Sequence, residues 1–173
     1  SVAVRGTPPP PPRPTTGTLT IEAPEDARVY LGERLLGTGR HVERNLRPGE
    51  HRVRAVVPDA PEECESAVQA RVVNLGAGAS ETISLSPVGC GTLVIAPTIG
   101  GAAIPAERGA LYVLIRGGRE VRRGGLTPSA QLTLPAGEYE LEITTPLCFP
   151  YENPAVRVAA GERVAPRIAL ECR

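Results

Sequence analysis

Four cysteines carry the sharpest chemistry in this chain: Cys64, Cys90, Cys148 and Cys172. They fall into two pairs, separated by 26 and 24 residues. A zinc site wants close pairs such as C-x2-C with histidine nearby, and neither His41 nor His51 stands near a cysteine in sequence. A thiol enzyme wants one exposed cysteine beside a base, not a duplicated pair. Free buried thiols are a third reading. Structural disulfides account best for the spacing, and they expect an oxidising compartment outside the cytoplasm.

Other chemistry-bearing groups are thin. Glu62, Glu63 and Glu65 crowd beside Cys64, but PDAPEECES lacks the alternating oxygen ligands and glycine of a calcium loop, so a solvated acidic loop is expected. His41 and His51 sit on different strands and form no dyad. GAGAS, Gly76 to Ser80, is too short for a phosphate cradle and lies between strands, so it reads as a turn. No nucleophile, base and orienter can be named together, nor a metal quartet. The expectation is no enzyme, no metal and no cofactor.

Two stretches could meet a ligand. In RGGREVRRGG, Arg116, Arg119, Arg122 and Arg123 flank a Gly-Gly turn. They suit a protruding hairpin facing an acidic partner or a glycan phosphate; the competing role is a charged edge that discourages sheet pairing. In LCFPYENP, Phe149 and Tyr151 could stack a sugar, against the alternative of covering one end of the fold and a disulfide.

The elements that must hold these residues are legible from composition. The 173 residues include 19 Gly, 19 Pro and one Phe, with no Trp or Met, so breakers are frequent and Val, Leu, Ile and Ala must fill the interior. Charge is balanced, 19 basic against 19 acidic, and every basic residue is Arg. Balance removes the electrostatic case for nucleic acid or anionic lipid, and the missing lysine reads as codon usage. No apolar run approaches the ~20 residues of a membrane helix. A start at Ser1 without Met reads as a processed product or an excised piece.

TPPPPPRP, Thr7 to Pro14, is low complexity. A stiff polyproline spacer is expected, with a ligand for an SH3-like groove as the rival.

After it the chain repeats itself. GTLTIEAP from Gly17 matches GTLVIAP from Gly91. ARVYL matches ALYVL, pairing Tyr30 with Tyr112. LRPGEHRVRAV from Leu46 matches LPAGEYELEIT from Leu134, and LGAGASETISL matches AAGERVAPRIAL. The second copy carries extra residues in Thr98 to Gly109 and around Arg116 to Gly125. Period-two alternation runs through both copies: Leu19 and Ile21, Val53, Ala55 and Val57, Tyr139, Leu141 and Ile143, Ile168 and Leu170. The repeat also assigns the cysteines, Cys64 to Cys90 and Cys148 to Cys172, because each pair follows the same two strands. The expected fold is all-β: a proline-rich linker over 1–16 and two small antiparallel β-sandwiches in tandem, 17–88 and 89–173, each with its own disulfide.

PEDARVYLGERLLG followed by LRPGEHRVRAV resembles a PEGA domain. Pro24, Glu25 and Ala27 match the name-giving tetrad, with Asp26 in place of Gly; Gly32 and Gly37 stand at turns and Pro48–Gly49 precede a returning strand. The family's G-x-T-P is absent from the first copy, which reads GTGR, and has a counterpart in GGLTP of the second. There the tetrad is stretched to PAERGA. The resemblance implies a small β-sandwich of bacterial envelope or surface proteins, in some cases the extracytoplasmic end of a membrane Ser/Thr kinase, and it brings no catalytic residues. The expected function is a non-catalytic interaction or sensing module whose partner is an envelope protein, with a carbohydrate- or cell-wall-binding module, on a surface glycan, as the alternative.

Overall fold

The computed structural model describes residues 6–173, so the first five residues of the expected linker lie outside the described residues. From Gly6 to Thr15 the chain is exposed and has no regular secondary structure. Beyond it the protein is built of strands, with two single turns of 3-10 helix at Glu65–Ala67 and Ala106–Arg108. It divides into two compact units. One takes the described residues up to Ala55 together with Gln69–Ser86, and the other takes Val56–Val68 with Pro87–Arg173.

The first unit holds β1 (Gly17–Glu22), β2 (Arg28–Leu31), β3 (Arg34–Thr38), β4 (His41–Leu46), β5 (Gly49–Val56), β6 (Val68–Leu75) and β7 (Ser80–Ser84). They form a three-stranded sheet in the order β4-β1-β7 and a four-stranded sheet in the order β3-β2-β5-β6. Leu19 and Ile21 of the one sheet and Val29, Val53, Ala55 and Val73 of the other share a single core. This is a sandwich, produced by alternation that sends every second side chain inward.

In the second unit run β8 (Cys90–Ile95), β9 (Thr98–Ile99), β10 (Ala102–Ala103), β11 (Ala110–Arg116), β12 (Arg119–Leu126), β13 (Ala130–Pro135), β14 (Gly137–Thr144), β15 (Tyr151–Val158), β16 (Arg163–Val164) and β17 (Ala169–Leu170). Its main sheets are β13-β8-β16 and β12-β11-β14-β15. Strand for strand, this is the order of the first unit. The duplication read from short motifs is a duplication of topology.

Antiparallel pairing dominates, with parallel exceptions at β1–β7, β8–β16 and β9–β17. The last strand of each copy arrives from the opposite sheet and takes the open edge of the first strand in that strand's own direction. Crossing over between sheets is what lets two strands run parallel. The first copy ends in one unbroken strand, SETIS. In the second copy Pro166, which has no N–H to offer a ladder, stands between the short β16 and β17. β17 joins β9 and β10 in a third small sheet, formed by the inserted segment after Ile95.

The repeated GTL opening has a steric cause. A Cβ at Gly17 would meet Leu75 Cγ at 2.8 Å and the Gly76 carbonyl at 2.9 Å; one at Gly91 would meet Val158 Cγ1 at 2.8 Å and the Glu162 carbonyl at 3.0 Å. In both copies the first strand passes against the end of the sixth strand of the repeat, and only glycine fits.

One expected match is corrected. Tyr30 and Tyr112 are not equivalent: Val29 is buried in the first core and Tyr112 in the second, while Tyr30 points to the wetted face with Arg54 stacked 4.6 Å above its ring. A slip of one residue exchanges the two faces of a strand. The structural partner of Tyr112 is Val29.

A shared corner stands elsewhere. His51 Nε2 lies 2.6 Å from the Arg47 carbonyl, and Tyr139, its counterpart in the second copy, donates its hydroxyl to the Pro135 carbonyl at 2.6 Å. Each ring reaches four residues back and fastens the turn before the central strand. Tyr139→Phe keeps the packing and removes that bond, so it should cost about 1 kcal/mol in urea unfolding. An unchanged midpoint would show that the corner is held by packing alone.

Candidate functional site

Both cysteine pairs are closed, Cys64–Cys90 and Cys148–Cys172, as the repeat assigned them. Their surroundings differ. Cys64 and Cys90 are buried in a small cluster with Ala67, against which Val57 and Ala60 pack. Ser66 fastens the same loop by donating its hydroxyl to the Val88 carbonyl at 2.7 Å. These residues hold Val56–Val68 to the second unit, so both sulfurs lie there, although the repeat counts Cys64 with the first copy. Cys148 and Cys172 face each other across an antiparallel bridge and are only half-buried.

Arg108 donates to Cys148 Sγ at 3.3 Å. A guanidinium at that sulfur stabilises a departing thiolate, and lower leaving-group basicity speeds exchange. Under graded phosphine reduction of the native protein, Cys148–Cys172 should therefore open well before Cys64–Cys90. Alkylation and peptide mass analysis would check the order. Simultaneous opening would contradict it.

The four expected arginines do not converge. β11 and β12 form a hairpin whose Gly117–Gly118 turn has positive φ at both residues, as a type I′ turn requires. Arg116, at the end of β11, is tied inward: its guanidinium donates to the Tyr139 hydroxyl at 3.3 Å and to the Ala136 carbonyl at 3.4 Å, and stacks 5.3 Å from the Tyr139 ring. The register shift between Leu114 and Ile115 sets Glu120 opposite Ile115 and Arg123 opposite Val113, on one face. The extra residue of this bulge is why positions three apart in a strand can pair.

Arg123 and Glu120 form a two-pronged ion pair, one of its bonds 2.7 Å long. The Arg123 hydrogen bond holds the Glu120 carboxyl below the usual carboxylate range, and Glu120 raises the Arg123 guanidinium. With a lowered folded-state value, Glu120 supports folding above the ordinary carboxylate range and loses that support as pH falls through its lowered value. Both groups are fully exposed, so solvent screens the effect.

Arg122 points the other way, into a cleft of ≈ 400 Å³ with Glu63, Glu65, Ser66, Cys90, Thr133 and Pro135. Arg119 is exposed at the turn and makes no side-chain hydrogen bond or ion pair among the described residues. The RGGREVRRGG hairpin is thus a structural arginine, an ion pair and two separately placed cations. It is not one basic patch.

Phe149 and Tyr151 do share a cleft, ≈ 270 Å³, with Pro150, Glu152, Ala169, Leu170 and Glu171. Phe149 is 53% exposed and lies 5.5 Å from the Arg173 guanidinium, whereas Tyr151 packs against the second core. One ring is offered to solvent and the other is partly buried against the core. Among the described residues no group of three His, Cys, Asp or Glu side chains could hold a metal, and no helix is long and apolar enough to cross a membrane.

The larger surfaces are the outer faces of the two four-stranded sheets, which sequence reading passed over. In the first unit Val53 and Ala55 turn inward, so Arg52 and Arg54 turn outward with Tyr30 and Leu35. In the second, Leu141 and Ile143 turn inward, so Glu140 and Glu142 turn outward beside Val113 and Ile115. The signal was available in HRVRAV set against YELEIT, read by strand parity.

No protein-family model matches the chain, and no curated protein matches it either. Among solved structures, the TIE protein of Bacillus anthracis aligns with 91% of this chain at 18% identity and a TM-score of 0.45, and the chain spans 34% of that protein's length. The minor pilin GBS52 of Streptococcus agalactiae aligns with 91% of this chain and 97% of its own at 14% identity and a TM-score of 0.44. A streptococcal ancillary pilin aligns with 92% of this chain and 63% of its own at 10% identity and a TM-score of 0.38. Likeness at this level carries nothing about what the present chain does.

Proposed function

We propose that this chain is a non-catalytic, extracytoplasmic interaction or sensing module of a bacterial envelope or surface protein, and that the proline-rich segment before Gly17 spaces its two sandwiches from whatever precedes them. In this reading the units are two PEGA-like domains, divided in sequence near Val88, and the extracytoplasmic end of a membrane Ser/Thr kinase is one context that suits them. The observation that carries the reading is the pairing of a duplicated, disulfide-closed scaffold with wetted sheet faces rich in charge and exposed aliphatic side chains. Disulfides support an oxidising compartment. Broad, shallow, charged faces suit a protein partner better than a small substrate, whose site would be concave and mostly apolar.

A carbohydrate- or cell-wall-binding module is the second reading, favoured by the exposed Phe149 ring and by Glu152 and Glu171 in its cleft. Glycan arrays and cell-wall pulldowns with the wild type, Phe149→Ala and Tyr151→Ala separate the two. The protein-interaction reading expects no saturable sugar binding. Saturable binding that both substitutions abolish would replace it with the second.

A further inference from the structure

The outer faces of the two equivalent sheets carry opposite charge at equivalent positions. Arg52 and Arg54 stand on β5 where Glu140 and Glu142 stand on β14, two residues apart in each case and flanked by the same inward aliphatic positions. Around them, the first face adds Arg28 on β2 and carries Glu50 as its one acidic strand residue, with Glu33 in the adjoining turn. The second adds Glu138 on β14, Glu152 on β15 and the Glu120–Arg123 pair, with Arg157 set opposite Glu138. One face is basic in excess and the other acidic in excess.

Each charged row borders exposed apolar surface and a shallow recess. On the basic face Leu35 is 53% and Val72 58% exposed, and Gly32, Glu33, Arg52 and Arg54 line a recess of ≈ 240 Å³. On the acidic face Leu111 is 57% exposed, and Glu140, Glu142, Glu152, Asn153 and Pro154 edge a recess of ≈ 200 Å³. Arg54, stacked on Tyr30, leaves its enclosed Nε without a partner. Two arginines at i and i+2 meet two glutamates at the same spacing when one sheet lies on the other, and the aliphatic margins are covered together.

We infer that the partner of these faces is a second copy of this chain: the basic face of the first unit of one molecule docks on the acidic face of the second unit of another. This deepens the interaction-module reading, on which it rests, by naming the partner. The contact is heterologous, so each docked pair leaves one face of each sign open for further copies, and association grows head to tail unless the rotation closes a ring. Four strands spaced about 4.8 Å apart and about six residues long give each face roughly 400 Å². That is small for a stable complex, so the association is weak, with a dissociation constant on the order of 100 μM, and salt-sensitive.

Sedimentation equilibrium of the full chain from 10 to 500 μM tests it. The wild type should show average mass rising with concentration at 25 mM NaCl and the rise weakening about tenfold or more by 300 mM. Arg52→Glu with Arg54→Glu, and separately Glu140→Arg with Glu142→Arg, should each stay monomeric. An equimolar mixture of the two variants should associate, since each supplies the native face the other lacks, and a chain carrying all four reversals should associate again. Far-UV circular dichroism checks folding, and the neutral Arg52→Gln with Arg54→Gln variant replaces any reversal that fails to fold. A wild type monomeric at every concentration and salt, or single-face reversals that associate like the wild type, would overturn the self-docking proposal. Neither result touches an interaction with a different envelope protein, which the reversed variants would retain or lose in a binding assay against that protein.

Discussion

Replacing Cys64 and Cys90 together by serine should lower the stability of the protein by about 3 kcal/mol, more than any substitution on its surface. The disulfide closes 26 residues, and in the chain-entropy picture a loop of that size is worth about 3.5 kcal/mol through the unfolded state. Beyond the hydrogen bonds between Ser66 and Val88, the segment it anchors has little apolar packing. Around the sulfurs the loop contributes Ala67, with Val57 and Ala60 packed against them, a far smaller patch than either sandwich core. The closed loop also contains β6 and β7, so the cross-link restricts the unfolded chain of the first unit while its sulfurs lie in the second. With a urea slope of about 1–2 kcal/mol per molar for units of this size, the midpoint should fall by roughly 2 M. Tyrosine fluorescence reads the transition in a chain that has no tryptophan. Retention of the wild-type midpoint would mean the loop is held by packing, contrary to the burial described.

Leu141→Ala should have a comparable effect for a different reason. Leu141 is fully buried on the central strand β14 and belongs to a core that also takes Leu93, Leu114, Leu126 and Ile143. With one Phe in the chain and no Trp or Met, this interior is filled, apart from the buried rings of Tyr112 and Tyr139, mainly by branched aliphatic side chains that fill a new void poorly. Removing the isobutyl end loses its transfer free energy and leaves a cavity, about 3 kcal/mol together. Its neighbours Glu140 and Glu142 make the control: on the outer face, their replacement by Gln should stay within about 0.5 kcal/mol. Equal losses at Leu141 and Glu140 in urea unfolding would contradict the assigned faces of β14.

Much of this fold was legible because a single period governs it. YELEIT and HRVRAV alternate without a break, and β14 and β5 expose and bury the residues that alternation names. The cysteines could be paired because each pair follows the same two strands in its copy. Tyr30 and Tyr112 misled because they were matched by chemical type; parity places Tyr112 with Val29 and sends Tyr30 outward. Parallel docking of β7 on β1 had no local signal, since a strand's partner depends on where the chain returns from and not on its composition. Nor could the arginine hairpin be resolved from RGGREVRRGG. Its four cations look alike in sequence, and only the bulge at Leu114–Ile115 and the nearness of Tyr139 divide them among separate tasks.

Peptide mapping of the unreduced native protein, with free thiols capped before digestion, addresses the duplicated, covalently closed scaffold most directly. Two linked peptide species should be found, one joining Cys64 to Cys90 and one joining Cys148 to Cys172, with no capped cysteine. A bond from either early cysteine to either late one, or four capped thiols, would contradict it.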